Sequence, residues 1–171
     1  MPAVPTTAPC INDYMAQNKT IVLILENLRS VENTGSIFRT AEGLGISKII
    51  LVGTTPTPLD RFGRKRSDFA KVSLGAEQLV NWEVGKSISS VIKDLSAQGF
   101  QIISLEQTEK SQNLKDFKAK EQFALIVGNE RDGVSKKALT LSGETVEIKM
   151  RGEKESLNVS VSVGIALFAL L

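Results

Sequence analysis

The residues that could do chemistry in this chain gather in a few short polar stretches. Asn33, Gly35 and Arg39 lie in ENLRSVENTGSIFR, Gly128, Glu130 and Asp132 in GNERDG, and Ser156 and Asn158 in RGEKESLN. A planar guanidinium such as that of Arg39 suits a phosphate or a hydroxyl oxygen; an arginine on a helix is equally at home in solvent. Glu130 could pair with an arginine or receive an amine. The same stretch could also be a plain turn before a helix cap, with Asp132 and Gly133 favouring the bend. Gly128 would let a backbone approach closely. Ser156 reads as the N-cap of the last helix. Asn158 then falls in the first turn, where a side-chain amide among apolar neighbours needs a partner. A fourth stretch, RFGRKRSDFAK (61–71), sets Arg61, Arg64, Lys65 and Arg66 among Phe62 and Phe69. It reads as a solvated charged loop or as a surface for nucleic-acid phosphates.

Other chemistries are excluded by what is missing. The chain has no histidine, so the commonest general base and the commonest metal ligand are both absent. A Ser-His-Asp hydrolase is ruled out and no metal site is expected. One cysteine, Cys10, cannot form an internal disulfide and fits a reducing compartment. No GK[ST] phosphate loop and no GxGxxG follows any apolar run. The net charge of +2 on 171 residues leaves room for a basic patch but does not announce one. VSVSVGIALFALL, the longest uncharged apolar run, is too short to span a bilayer. With no signal or transit peptide in the proline-rich start, a soluble, cytoplasmic protein is expected. Residues 1–18 read as a flexible tail and 19–171 as one domain.

The polar stretches sit where a regular alternation of elements would place them. IVLIL (21–25), KIILVG (48–53) and FALIVG (123–128) are short continuous apolar runs, as strands buried on both faces would be. FQIISL and TVEIKM (145–150) read as further strands. Between them lie helical patterns at GSIFRTAEGLG (35–45), KSISSVIKDLSA (86–97) and VSKKALTLSG (134–143). The last segment, from Ser156, is apolar nearly all round and is expected to be buried on most faces. The reading is an α/β fold with a mainly parallel sheet and helices on both faces, joined by right-handed crossovers. Ligands then belong at the carboxyl ends of strands. IVLIL, FALIVG and TVEIKM run straight into the three polar stretches.

Three segments taken together resemble the SpoU (TrmH-like) family of RNA 2′-O-ribose methyltransferases within the SPOUT superfamily. They are NTGSIFRTAEGLGI (33–46), LIVGNERDGVS (125–135) and IKMRGEKESLNVSVSVGIALF (148–168), matching in order and spacing. The resemblance covers about residues 19–171 and implies a C-terminal deep trefoil knot and a homodimer with its site near the subunit interface. It implies S-adenosyl-L-methionine as cofactor, contacted at Leu105, Gly128, Ile148, Met150 and Leu157. It implies methyl transfer to a ribose 2′-hydroxyl of tRNA or rRNA, with Arg39, Glu130, Ser156 and Asn158 as catalytic candidates. Asn33 joins Arg61, Arg64, Lys65 and Arg66 as the expected RNA contacts. Three alternatives stay open on the residues alone: an RNA-binding module that has lost catalysis, a methyltransferase of bases, and an unrelated nucleotide-binding α/β protein.

Overall fold

The computed structural model of the chain describes residues 19–171; the expected tail, with Cys10, lies outside them. Seven strands form one sheet: β1 Thr20–Glu26, β2 Lys48–Val52, β3 Trp82–Gly85, β4 Gln101–Leu105, β5 Gln112–Asn113, β6 Gln122–Val127 and β7 Glu144–Glu147. Their order is β3-β2-β1-β6-β4-β7-β5, and every paired neighbour runs parallel. The helices are α1 Val31–Gly43, α2 Ser67–Ser73, α3 Ile88–Ala97, α4 Lys136–Leu141 and α5 Val159–Leu170.

Period-two alternation divides the core. Ile21, Leu23, Leu25, Ile49 and Leu51 face the layer of α1, α2 and α5. Val22, Ile24, Ile50 and Ile126 face α3 and α4. Because both faces are covered, the central strands are apolar without interruption. β1 and β6 are adjacent, yet the helix after β1 lies on one face and the helix after β6 on the other. Two neighbouring strands whose connections leave in opposite directions open a crevice at their carboxyl ends.

Several elements depart from expectation. Helix α1 begins at Val31 rather than near residue 35, because Ser30 caps it: its side-chain oxygen accepts the Asn33 N–H at 3.0 Å. Half of the basic stretch 61–71 is helix α2 rather than loop. Its Phe69 is fully buried, edge-to-face with Phe38 at 5.2 Å between ring centres, so this phenylalanine belongs to the core. Strand β7 stops at Glu147, which leaves Ile148 and Met150 in the loop beyond it. β3 and β5 are additional edge elements. Helix α5 buries only Val163, Ala166, Leu167 and Leu170. Val161, Ile165 and Phe168 stand exposed, one turn apart on the opposite side. A helix with a single neighbouring layer hides one face, whatever its composition. Among the described residues no helix is long and apolar enough to cross a membrane.

Candidate active site

A cavity of about 660 Å³ lies at the carboxyl edge of the sheet, within the usual range for small-molecule sites. Its walls are the loop after β4 (105–108), the loop after β6 (127–134), the loop after β7 and the approach to α5. Leu105, Gly128, Ile148, Met150 and Leu157 all line it, as do Asn33, Glu130, Ser156 and Asn158. Leu105, Ile148 and Leu157 give it an apolar side. Glu106, Glu130, Asp132 and Glu147 outnumber Arg131 and Lys136 on the polar side, so the lining favours a cationic guest.

At one edge the three polar stretches are tied into a single chain of hydrogen bonds. The Asn158 side chain donates from Nδ2 to Oδ1 of Asn33 at 3.0 Å. Asn33 donates in turn from its Nδ2 to Oε1 of Glu130 at 3.0 Å. Glu130 also accepts the backbone N–H of Arg29 at 3.0 Å and of Ser30 at 3.2 Å, so its carboxylate sits over the start of α1, where negative charge is favoured. Partial desolvation pushes the Glu130 pKa up. The hydrogen bonds from Asn33, from its own N–H and from Arg29 and Ser30 together outweigh this and hold it below the ordinary carboxylate value.

Asn158, expected inside the first turn of the last helix, is itself the N-cap. Its Oδ1 accepts the Ser160 N–H at 2.9 Å and the Ser160 hydroxyl at 2.6 Å. The cap expected at Ser156 therefore moves two residues on, since an amide oxygen at Asn158 is already placed for the orphan donors of the first turn. Ser156 is an exposed cavity-lining residue.

The loop after β6 closes on itself. Asn129 and Gly133 exchange backbone hydrogen bonds of 3.0 and 2.9 Å. A Cβ on Gly128 would lie 2.1 Å from the Gly133 carbonyl oxygen, so glycine is required there by the protein's own backbone and not only by a ligand. Glu106 went unnoticed in the sequence and ties two walls together. It accepts the Val134 N–H at 2.7 Å and the Gln107 N–H at 2.9 Å, lying over Gly133, whose φ is +67°. Asn129 also went unnoticed; its Nδ2 donates to the Asn27 carbonyl at 2.7 Å. The available signal was position alone: both follow buried strands at the carboxyl edge.

The pattern of the SpoU rRNA Methylase family matches residues 20–168. The chain belongs to the SpoU rRNA methylase family. It is 28% identical over 159 residues to a 23S rRNA (guanosine-2′-O-)-methyltransferase of Vibrio parahaemolyticus, covering 92% of this chain and 62% of the relative. It is 31% identical to an uncharacterized tRNA/rRNA methyltransferase of Borreliella burgdorferi, covering 94% and 67%. Among solved structures, an AdoMet-bound rRNA methyltransferase from Sinorhizobium meliloti superposes with a TM-score of 0.79 at 25% identity, over 88% of this chain and 55% of that one. The chain thus spans less than two thirds of the Vibrio relative and about half of the Sinorhizobium chain.

Not every residue singled out for SpoU chemistry reaches the cavity. Arg39 is exposed on α1 and does not line it. Its neighbour Thr40 borders a separate shallow apolar groove with Gly43, Leu44, Gly164, Ile165 and Phe168. The basic residues of 61–66 form a turn away from the cavity lining. Arg64 pairs with Asp60 at 2.9 Å. Arg66 makes a two-pronged bond to Asp68, at 3.1 and 2.6 Å, that stabilises its charge and lowers the Asp68 pKa. Lys65 reaches Gln78 at 3.3 Å. Among the described residues Arg61 forms no ion pair.

Proposed function

We propose that this chain is an S-adenosyl-L-methionine-dependent methyltransferase acting on a ribose 2′-hydroxyl of tRNA or rRNA. The observation that carries the reading is the hydrogen-bonded series Asn158–Asn33–Glu130 at the mouth of a cofactor-sized cavity. The cofactor fits the lining on charge. It carries a sulfonium, an ammonium and one carboxylate, a net cation, and the cavity is acidic on one side and apolar on the other. Leu105, Ile148 and Leu157 would hold its apolar parts. Backbone groups around Gly128 and Met150 would hold its polar ones.

When bound, S-adenosyl-L-methionine supplies a methyl group on a sulfonium for transfer to a nucleophilic oxygen. The protein's part is to position and polarise that oxygen. Asn33 and Asn158 hold each other's amides in fixed orientation, and Ser156 stands beside them facing the cavity. Glu130 keeps its charge to low pH and anchors Asn33. A guanidinium does not give up its proton, so Arg39 would act by binding the ribose hydroxyl and its phosphate and stabilising the developing alkoxide. The hydroxyl proton then leaves to water or a phosphate oxygen.

Arg39 is outside its own cavity, and its neighbour Thr40 borders the apolar groove formed with the exposed Ile165 and Phe168 of α5. Both observations support a homodimer through this face, with Arg39 of one subunit serving the cavity of the other. The trefoil knot implied by the resemblance is part of the same reading. The Gln107 side chain donates to the Glu155 carbonyl at 3.1 Å, so the segment before α5 runs against the loop after β4. Incubating the purified chain and methyl-labelled cofactor separately with tRNA and rRNA, then mapping the product by mass spectrometry, tests the function. No 2′-O-methyl product from either RNA would refute it.

A further inference from the structure

The turn at residues 60–66 displays an aromatic ring in an unusual setting. Phe62 is 66% exposed, whereas the other phenylalanine of this stretch, Phe69, is core. Two guanidinium groups lie against the Phe62 ring, that of Arg61 at 4.7 Å and that of Arg64 at 5.0 Å from its centre. The turn is braced from within. The Asp60 carboxylate accepts the backbone N–H groups of Phe62 at 2.8 Å and Arg64 at 3.0 Å and the Arg64 Nε–H at 2.9 Å. Leu59 and Lys65 close its base as an antiparallel bridge. The ring is thus held at the surface with the two guanidinium groups against it.

Its location bears on the site. The turn follows β2, so it leaves the sheet on the same carboxyl edge as the cavity. The intervening loops are bonded to one another. Thr55 Oγ accepts the Leu28 N–H at 3.1 Å, Asn27 Oδ1 accepts the Thr54 N–H at 3.2 Å, and the next residues, Arg29 and Ser30, are held by Glu130. The loops after β1, β2 and β6 are therefore bonded together at this edge, and the Phe62 turn continues from the second of them.

We infer that Phe62, with Arg61 and Arg64 beside it, is a stacking platform for an unpaired base of the RNA substrate. The inference rests on the function proposed above. An aromatic face takes any base, and flanking arginines hold the adjoining phosphates. In paired RNA the bases are stacked on one another and offer no face to the ring, so the partner is a single-stranded loop or bulge of the substrate. Among the described residues Arg61 forms no ion pair, whereas Arg64 is bonded to Asp60.

The test is fluorescence anisotropy of the full chain with a labelled RNA stem-loop and with a fully paired RNA duplex, across a salt series. Phe62→Ala should weaken stem-loop binding about tenfold, well within the contribution of one stacked base. It should leave duplex binding and the salt slope unchanged. Phe62→Trp should retain binding, while Phe62→Leu, apolar but without a π face, should not. Arg61→Ala should instead reduce the slope by about 0.7, one phosphate contact on a single strand. Unchanged melting temperature and cofactor affinity in Phe62→Ala would show the fold and cavity intact. Wild-type stem-loop binding that Phe62→Ala does not alter, or an equal loss on duplex, would overturn this inference alone and leave the ring to a protein contact. A wild-type chain that binds neither RNA would overturn it together with the proposed function.

Discussion

Asn158 does two jobs with two different atoms, and substitutions can separate them. Its Oδ1 caps α5 through Ser160, and its Nδ2 donates to Asn33. Asn158→Ala removes both. Losing an N-cap costs about 1 kcal/mol, and for a domain of this size that lowers the melting temperature by roughly 2–4 °C. The exposed Asn158–Asn33 bond adds about 0.5–1 kcal/mol at most. Asn158→Asp keeps an oxygen for the cap, where a negative charge at the helix start is favourable, but has no donor for Asn33. The expected outcome is a melting temperature lowered in the alanine variant and close to wild type in the aspartate variant, with methyl transfer lost in both. Differential scanning calorimetry and methyl incorporation into RNA, run on the same preparations, provide the two readouts. An aspartate variant with wild-type activity would refute the role given to the Nδ2 bond. An alanine variant with unchanged melting temperature would refute the capping argument.

Other variants probe other parts of the structure. Gly128→Ala forces a Cβ to 2.1 Å from the Gly133 oxygen; overpacking of this kind costs about 1–3 kcal/mol, so calorimetry should show destabilisation and titration with S-adenosyl-L-methionine a loss of affinity, and a wild-type result in both would contradict the geometry. Glu130 has a depressed pKa, so its contribution to stability is present above the ordinary carboxylate pKa and lost as pH falls through the lower folded value. The melting-temperature difference between wild type and Glu130→Gln should accordingly be constant near neutrality and shrink in acid, whereas a gap independent of pH would argue against the shift. If Arg39 serves a neighbouring subunit, mixing inactive Arg39→Ala with inactive Glu130→Ala should restore about a quarter of wild-type activity, because half the dimers are mixed and each holds one complete site. No recovery after subunit exchange would place Arg39 in its own chain's site or outside catalysis.

How far the sequence could be read follows from how far each interaction reaches. β1, β2 and β6 were legible because strands covered on both faces leave continuous apolar runs. β3 was not, since it is an edge strand with Glu83 and Val84 exposed, and neither periodicity nor composition marks it. The start of α1 was hidden because Glu32, Asn33 and Gly35 look like loop, while the deciding cap at Ser30 lies upstream. Helix α2 was masked by charge; its inner face is marked by the buried Phe69 and Ser73. At the site, the polar stretches themselves stood out at strand ends. Their mutual bonds did not: Asn33 is 97 residues from Glu130 and 125 from Asn158, and no local pattern encodes such pairings. The capping position of Asn158 was missed for a smaller reason. Ser156 and Asn158 are both good caps by residue type, and it is the Asn158 oxygen that takes the Ser160 N–H.

The same long separations govern the order of events as the chain folds. Asn33 belongs to the first helix and Asn158 to the cap of the last one, while β6, whose following loop carries Glu130, must slot in beside β1 after about a hundred intervening residues. No early fragment holds a partial version of the site that could be completed cheaply later. Parallel sheets built from such remote pairings also fold slowly. The Asn158–Asn33–Glu130 edge is therefore expected to form late in folding, and a chain short of α5 would lack the Asn158 side of the cavity mouth.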